Sequence, residues 1–151
     1  MMKKLALAAF LAWGGGLIAR AGVPAVTEWD LVIYGSSPAA ISAAVKATAM
    51  GLRPVIVSPK KHLGGLTVSG LGFTDSGNTS AIGGLAREFY HRIYRAYQEP
   101  ATWRWQAKSD FSAAGQDTKA MNDDEETMWT FEPSAATKIL EGWVRRDGIP
   151  I

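Results

Sequence analysis

Apolar and polar positions along the chain predict short strands that alternate with helices. Residues 29–34 form an apolar run, which is typical of a buried parallel strand. Small residues interrupt this run, and an alanine-rich segment over residues 39–50 predicts a helix that ends at Gly51. A second apolar run, Pro54–Val57, predicts another strand. Together these elements, which span about 30 residues, predict a right-handed βαβ unit.

The middle of the chain predicts a long loop followed by an amphipathic helix. Residues 64–84 are rich in glycine, serine and threonine, which favours a loop over regular structure. Over residues 85–98 the apolar side chains recur every four positions, which predicts a helix with one face on a core. These apolar residues are Leu85, Phe89, Ile93 and Tyr97.

The last third predicts an irregular segment, a short strand and a final helix. Residues 99–127 show no sustained period, and residues 128–131 predict a short strand. Pro133 opens a helix that ends at residues 147–148. Its predicted buried face carries Ile139, Leu140, Trp143 and Val144.

The size of the chain fits one α/β domain or part of one. It has 151 residues, of which 47% are hydrophobic and 20% are charged. Residues 149–151 resemble the first residues of another strand. We therefore expect an α/β fold with a Rossmann-like parallel sheet that is incomplete in this fragment.

The first residues predict a secretory signal peptide. Lys3 and Lys4 precede an apolar run over residues 5–19, and Ala21 completes an A-x-A cleavage site. This run is shorter than the roughly 20 residues that a membrane-spanning helix needs, which disfavours the alternative of a membrane anchor. We expect residues 1–21 to be a Sec-type signal peptide and residues 22–151 to be exported, to the periplasm or beyond, without a stable membrane span.

The charge balance and the cysteine content reduce the number of functions that the chain can have. Without the basic residues of the leader, 13 basic side chains stand against 14 acidic ones, which gives a net charge of −1. This balance does not support a nucleic-acid partner. The absence of cysteine excludes disulfides, thiol nucleophiles and thiolate metal sites.

The turn between the first strand and the first helix is a candidate nucleotide site. A pyrophosphate binds at a helix N-terminus because backbone N–H groups are unpaired there and the helix dipole is positive. The usual motif is G-x-G-x-x-G, and its three glycine positions are here Gly35, Ser37 and Ala40. Ser58 stands where an acidic residue usually binds the ribose hydroxyls. Spacing alone therefore leaves both a dinucleotide site and an ordinary α/β turn open.

The sequence gives less support for protease, metal-binding or sugar-binding sites. The triplet at residues 75–77 has the composition of an aspartic-protease motif but lacks a second carboxylate to share a proton. His62 and His91 have no ligand partner four residues away, so no metal site is predicted. Trp103 and Trp105 suit either a sugar-stacking platform or, as such residues more often do, internal packing.

Four stretches of the chain resemble a known family. They are DLVIYGSSPAAISAA, SPKKHLGGLTVSGLGFTDSGN, IGGLAREFYHRIY and FEPSAATKIL. In these stretches the chain is similar to the exported FAD-dependent oxidoreductases of bacteria that share the glutathione-reductase type of FAD-binding fold. The resemblance covers most of residues 30–151, so residues 22–151 are expected to be the N-terminal part of an FAD-binding domain.

The resemblance also implies which residues bind FAD. The residues implied for the pyrophosphate are Gly35, Ser36, Ser37, Pro38, Ala39 and Ala40. The residues implied for the adenosine ribose are Ser58 and Pro59. Gly64 and Gly65 would lie along the cofactor, and Leu66 and Thr67 would lie toward its isoalloxazine ring.

The resemblance implies an oxidoreductase whose flavin carries the redox chemistry. It assigns no catalytic side chain within this chain, and we expect such residues to lie beyond it. The substrate is an unknown small molecule, and a carbohydrate-derived one is implied only by association with relatives. The alternatives are a secreted, non-enzymatic α/β binding module and a flavin-independent carbohydrate-active lyase.

Overall fold

The computed structural model describes residues 28–111 and 119–151. The predicted signal peptide at residues 1–21 lies outside the described residues. Within the described ranges, no helix is long and apolar enough to cross a membrane.

The chain begins with the predicted βαβ unit. Strand β1 is Leu31–Tyr34, helix α1 is Pro38–Ala49 and strand β2 is Pro54–Val57. The two strands pair in parallel, with Leu31 opposite Pro54 and Tyr34 opposite Val57. The expected order of strand, turn, helix and strand is thus confirmed.

The end of the chain returns to the same sheet. The carbonyl of Val57 faces β1, since it accepts from the N–H of Gly35 at 2.8 Å. The N–H of the preceding residue, Ile56, points to the opposite edge of β2 and donates to the carbonyl of Pro150 at 2.9 Å. Residues 149–151 are not themselves a strand, but they lie at the place where a third strand would pair with β2.

Two further helices and a hairpin follow, together with short 3₁₀-helical turns. Two of these turns, Gly65–Val68 and Thr79–Ala81, interrupt the predicted loop over residues 64–84. Helix α2 is Gly84–Ala96 and helix α3 is Pro133–Arg146, so both predicted helices are confirmed. Strands β3, Met121–Asn122, and β4, Thr127–Met128, pair in antiparallel orientation.

The hairpin corrects two predictions. Residues 99–127 are not irregular throughout, because the side chain of Asn122 accepts from the N–H groups of Asp124 and Glu125 and stabilises a turn between β3 and β4. The predicted strand at 128–131 is also wrong in its bounds, because β4 ends at Met128. Beyond it, Thr130 forms only an isolated bridge with Phe73.

One hydrophobic core joins the helices to the sheet. Helix α1 contributes Ile41 and Val45, β2 contributes Ile56, and α2 contributes Phe89 and Ile93. From α3 the buried side chains include Leu140, Trp143 and Val144. Ile139 was predicted to be buried with them but is only partly buried, at the margin of the core.

The first strand is less buried than its composition predicts. Val32 is 61% exposed and Tyr34 is 78% exposed, although the apolar run predicts a strand buried on both faces. Helix α1 covers one face of the sheet, and no described element covers the face that carries these two side chains. The architecture is nevertheless α/β with a parallel sheet that starts βαβ, as predicted for a partial Rossmann-like fold.

Candidate functional site

The candidate site is the small-residue turn, residues 35–40, at the carboxyl ends of the two parallel strands. Gly35 follows β1 and bonds to the last residue of β2. Its φ of +118° lies in a region that side-chain-bearing residues rarely adopt, so glycine suits the sharp turn into α1. Ligands of open α/β sheets bind outside the carboxyl ends of the strands, which is where this turn lies.

Ser37 caps helix α1 and leaves some N–H groups of the turn unpaired. Its Oγ accepts from the N–H of Ala40 at 3.2 Å, and its carbonyl accepts from the N–H of Ile41 at 3.1 Å. Pro38 has no N–H. Within the described part of the chain, the N–H groups of Ser37 and Ala39 have no hydrogen-bond partner. Both residues are exposed, so their N–H groups can bind an anion from solvent.

Ala40 and Ser36 face the protein rather than the solvent. Ala40, at the third glycine position of the motif, is 8% exposed, so its methyl group is accommodated by packing. Ser36 is buried as well, and its hydroxyl donates to the carbonyl of His62 at 3.2 Å. The accessible surface of the turn therefore consists of backbone, Ser37 and Ala39, together with the half-buried Pro38.

The structure brings the glycine pair, Gly64 and Gly65, against this turn. The N–H of Gly64 donates to the carbonyl of Ser36 at 2.7 Å. A Cβ atom built on Gly65 would lie 3.5 Å from the Cα of Ser37 and 3.5 Å from the Cδ of Pro38. The two segments that the sequence associates with one cofactor are thus adjacent.

Gly64 has no room for a side chain. Its φ is +107°, and a Cβ atom there would approach Val68 Cγ1 to 2.6 Å and Leu140 Cδ1 to 2.7 Å. Contacts this short force neighbouring side chains to move. Gly64 thus occupies a backbone position that only glycine fits, and Gly65 lies close against the turn.

Ser58 and Pro59 lie at the carboxyl end of β2. The hydroxyl of Ser58 is already hydrogen-bonded within the protein. The Oγ of Ser58 accepts from the N–H of Lys60 at 3.1 Å and donates to the Lys60 carbonyl at 3.0 Å. This local turn occupies the hydroxyl that was predicted to meet a ribose. Because Ser58 already donates its hydroxyl hydrogen to Lys60, a ribose hydroxyl would meet Ser58 Oγ only as a hydrogen-bond acceptor while this local turn persists.

Leu66 and Thr67 differ in exposure. Leu66 projects into solvent, whereas Thr67 is half-buried and lines two neighbouring clefts. One cleft, of about 160 Å³, also contacts the first turn of α1 at Pro38 and Ala39. The other, of about 180 Å³, is lined in part by Tyr90 and by the loop that contains Phe73 and Asp75.

Among the aromatic residues at these clefts, Tyr90 and Trp143 carry a polar group and were not predicted as site residues. Tyr90 lines both clefts, and among the described residues it is the only titratable one on the first cleft. Trp143 lines the first cleft, and its buried Nε1 has no hydrogen-bond partner in the described ranges. The helical period marks Trp143 as a core residue and gives no signal for an unpaired indole N–H next to a cleft.

Trp103 and Trp105, for which the sequence left open a sugar-stacking platform or internal packing, differ in their surroundings. Trp103 packs edge-on against Tyr97 and Phe111, and its Nε1 donates to the carbonyl of Tyr97 at 2.8 Å. Trp105 is 85% exposed. The ring contacts and the Nε1 bond make Trp103 a packing residue. Both tryptophans also line a separate cleft of about 300 Å³.

The electrostatics around the turn support binding more than proton transfer. In residues 28–111 and 119–151, no group of three or more His, Cys, Asp or Glu side chains is placed to hold a metal ion. Burial raises the pKa of Tyr97, which lies away from the turn and accepts from the N–H of Glu132 at 2.8 Å. The turn offers unpaired N–H groups and the positive end of α1, a combination that binds phosphate.

Fold and site together define a protein with the start of a nucleotide-binding Rossmann-like domain. The family model described as FAD dependent oxidoreductase matches residues 30–151. The chain therefore belongs to the FAD-dependent oxidoreductase family, and its cofactor is FAD. A search of curated proteins and a search of solved structures found no match to this chain.

Family membership decides between the alternatives raised by the sequence. An FAD-dependent oxidoreductase is supported, and the non-enzymatic binding module is not favoured. The small-residue turn also fits the cofactor, because exposed, unpaired N–H groups stand at the start of α1 with the glycine pair beside them. A pyrophosphate is the part of FAD that such a turn accommodates.

Proposed function

We propose that the small-residue turn binds the pyrophosphate of FAD and that the glycine pair lies along the same cofactor. The observation that carries this proposal is the pair of unpaired N–H groups at Ser37 and Ala39, both exposed at the positive end of α1. An anion placed there gains hydrogen bonds and a favourable dipole at once. Ser37 can also donate its hydroxyl hydrogen, since its Oγ serves the cap only as an acceptor.

The clefts beside the turn suggest where the flavin end and the adenosine end of FAD would lie. We place the flavin end of FAD toward Leu66 and Thr67, because Thr67 lines both the cleft at the start of α1 and the cleft beside the loop that contains Phe73. The adenosine ribose would lie toward Ser58 and Pro59 at the carboxyl end of β2. Bound FAD supplies the hydride or electron transfer, and this chain supplies binding and orientation.

Export and substrate belong to the same proposal. The leader-like layout of residues 1–21 supports export through a Sec-type signal peptide, with residues 22–151 as the N-terminal part of the FAD-binding domain. We propose a small-molecule substrate, with a carbohydrate-derived compound as the class to test first, because the family resemblance associates relatives with such compounds.

Flavin absorption tests the binding proposal. The full-length protein, purified from its host or reconstituted with FAD, should show the two visible absorption bands of oxidised flavin. Ser37→Trp should abolish them, because an indole would fill the space over the unpaired N–H groups. Ser134→Trp is the matched control, since Ser134 is an exposed serine in the first turn of α3, and it should leave the bands intact.

Two outcomes would contradict the proposal. Unmodified protein that stays colourless after reconstitution would contradict cofactor binding by this chain. Retention of full flavin absorption by Ser37→Trp would show that the pyrophosphate binds elsewhere.

A further inference from the structure

We infer that Ser36 is a positioning residue that holds the glycine pair against the small-residue turn and does not itself touch FAD. The inference rests on the proposed function, because it assumes that the turn and the glycine pair bind one cofactor together. It also assigns Ser36 a role different from the phosphate contact that the resemblance implies.

Ser36 bonds to the glycine segment at two points. Its carbonyl accepts from the N–H of Gly64 at 2.7 Å, and its hydroxyl donates to the carbonyl of His62 at 3.2 Å. The two bonds lie on either side of Leu63. Among the described residues, the Ser36 hydroxyl makes the only side-chain hydrogen bond between residues 35–40 and residues 60–70.

The Ser36 side chain is buried, and its hydroxyl points into the protein. Ser36 is 7% exposed, whereas its neighbour Ser37 is exposed. Leu63, between the two bonded residues of the other segment, is itself buried in the core. The hydroxyl of Ser36 therefore lies between two protein segments, and the hydroxyl of Ser37 is the one available to a ligand.

The double attachment pre-organises the site. A loop that must be ordered on binding costs conformational entropy, and a loop that is already fixed does not. Gly65 lies against Ser37 and Pro38, and the bonds from Ser36 to His62 and Gly64 fix the residues just before it. Loss of the hydroxyl bond should therefore loosen residues 62–65 and weaken FAD binding without removing any contact to FAD.

The test compares Ser36→Ala with Thr48→Ala in the full chain. Thr48 is a matched control because its hydroxyl also donates to one backbone carbonyl, that of Ala44 at 3.1 Å, at the far end of α1. The dissociation constant and dissociation rate of FAD are measured by flavin fluorescence. Hydrogen exchange of the Gly64 amide is measured without FAD.

We expect Ser36→Ala to weaken FAD binding about fivefold, the effect of one net hydrogen bond, mainly through faster dissociation. The Gly64 amide should exchange faster in this variant even without FAD. Thr48→Ala should change neither quantity. Ser36→Cys, which keeps a weak donor of similar size, should give intermediate values for both.

The outcomes separate this inference from the proposed function. If the unmodified protein binds FAD and Ser36→Ala changes neither affinity nor Gly64 exchange, the inference is wrong and the proposed function stands. If affinity falls while Gly64 exchange stays unchanged, Ser36 contacts FAD directly and the inference is again wrong. If the unmodified protein does not bind FAD, the proposed function fails first.

Discussion

The small-residue turn and the aromatic cluster around α2 use opposite kinds of residue. The turn and the glycine pair consist of glycine, serine, proline and alanine, and they present backbone groups to solvent. The aromatic cluster consists of large rings packed at their edges and faces. Its members are Phe89, Tyr90, Trp129, Phe131 and Trp143.

This difference separates binding from folding. Removing side chains from the turn allows a phosphate to reach the backbone, but small residues bury little apolar surface. The aromatic cluster supplies that burial, for example where the Tyr90 and Trp129 rings lie 4.1 Å apart between centroids. Substitutions in the two regions should therefore change different measurements.

The largest expected effect is on folding, from Trp129→Ala. Trp129 is 1% exposed, and its Nε1 donates to the buried hydroxyl of Thr127 at 3.0 Å. Truncation leaves a cavity and an unpaired hydroxyl, so the free energy of unfolding should fall by about 3–5 kcal/mol. Urea unfolding of the FAD-free protein, followed by circular dichroism, measures this change.

Trp105→Ala provides the control for the same side chain. Because Trp105 is 85% exposed, its removal should change the free energy of unfolding by less than about 0.5 kcal/mol. Equal losses in the two variants would mean that the aromatic cluster does not carry the folding energy.

A smaller effect on folding and a larger one on binding should follow Gly35→Ala. A Cβ atom at Gly35 meets nothing within 4 Å, so the cost comes only from its φ of +118°. That backbone strain should lower the free energy of unfolding by about 1–3 kcal/mol and distort the turn, so flavin absorption should fall. Chemical denaturation and the flavin bands are measured together.

Gly142→Ala is the matched control for this substitution. Gly142 also has open space around its Cβ position but lies inside α3. Alanine there should stabilise the protein by up to about 1 kcal/mol and leave FAD binding unchanged. A loss of flavin in both variants would argue against a specific role for the turn.

The smallest effect concerns the start of the sheet and depends on pH. The carboxylate of Asp30 accepts from the backbone N–H of Arg53 at 2.7 Å, and this bond lowers its pKa below the ordinary value of 3.8. A lowered pKa means that the carboxylate stabilises the native state at neutral pH and loses this effect as the pH falls through the lowered value.

Asp30→Asn should therefore destabilise the protein slightly at neutral pH, and the difference from the unmodified protein should shrink well below pH 3.8. Urea unfolding at neutral pH and well below pH 3.8 measures this difference in the free energy of unfolding. Asp75→Asn serves as the control, because the Asp75 carboxylate has no hydrogen-bond partner within the described part of the chain. A difference that grows on acidification would show that the sign of the pKa shift is wrong.

Local sequence patterns were sufficient for most of the elements. The apolar runs, the four-residue spacing of Phe89 and Ile93, and Pro133 at the start of α3 each depend on neighbours along the chain. The β3–β4 hairpin was missed because its strands have two residues each, too short for a period. It depends instead on the side-chain bonds of Asn122 within the turn.

The candidate site was predictable only in part. The small-residue motif and the family resemblance identified the residues, and FAD is confirmed as the cofactor of the family. The individual contacts to FAD, and export by residues 1–21, stay predictions. That Ser36 is buried against His62 and that Trp143 has an unpaired Nε1 depends on contacts between segments distant in the chain. The bond between Ser58 and Lys60 is local, but the motif does not show that it engages the Ser58 hydroxyl.

By itself the sequence determined the βαβ unit, the two later helices and the small-residue turn, because turns and periodic helices follow from interactions between near neighbours. The tertiary structure decided which of the two serines after Gly35 faces solvent, and it placed Gly64 and Gly65 beside them. It also decided that Val32 and Tyr34 lie exposed despite an apolar run. Burial and hydrogen bonding between distant segments depend on which surfaces meet in space, and a linear pattern does not contain that information.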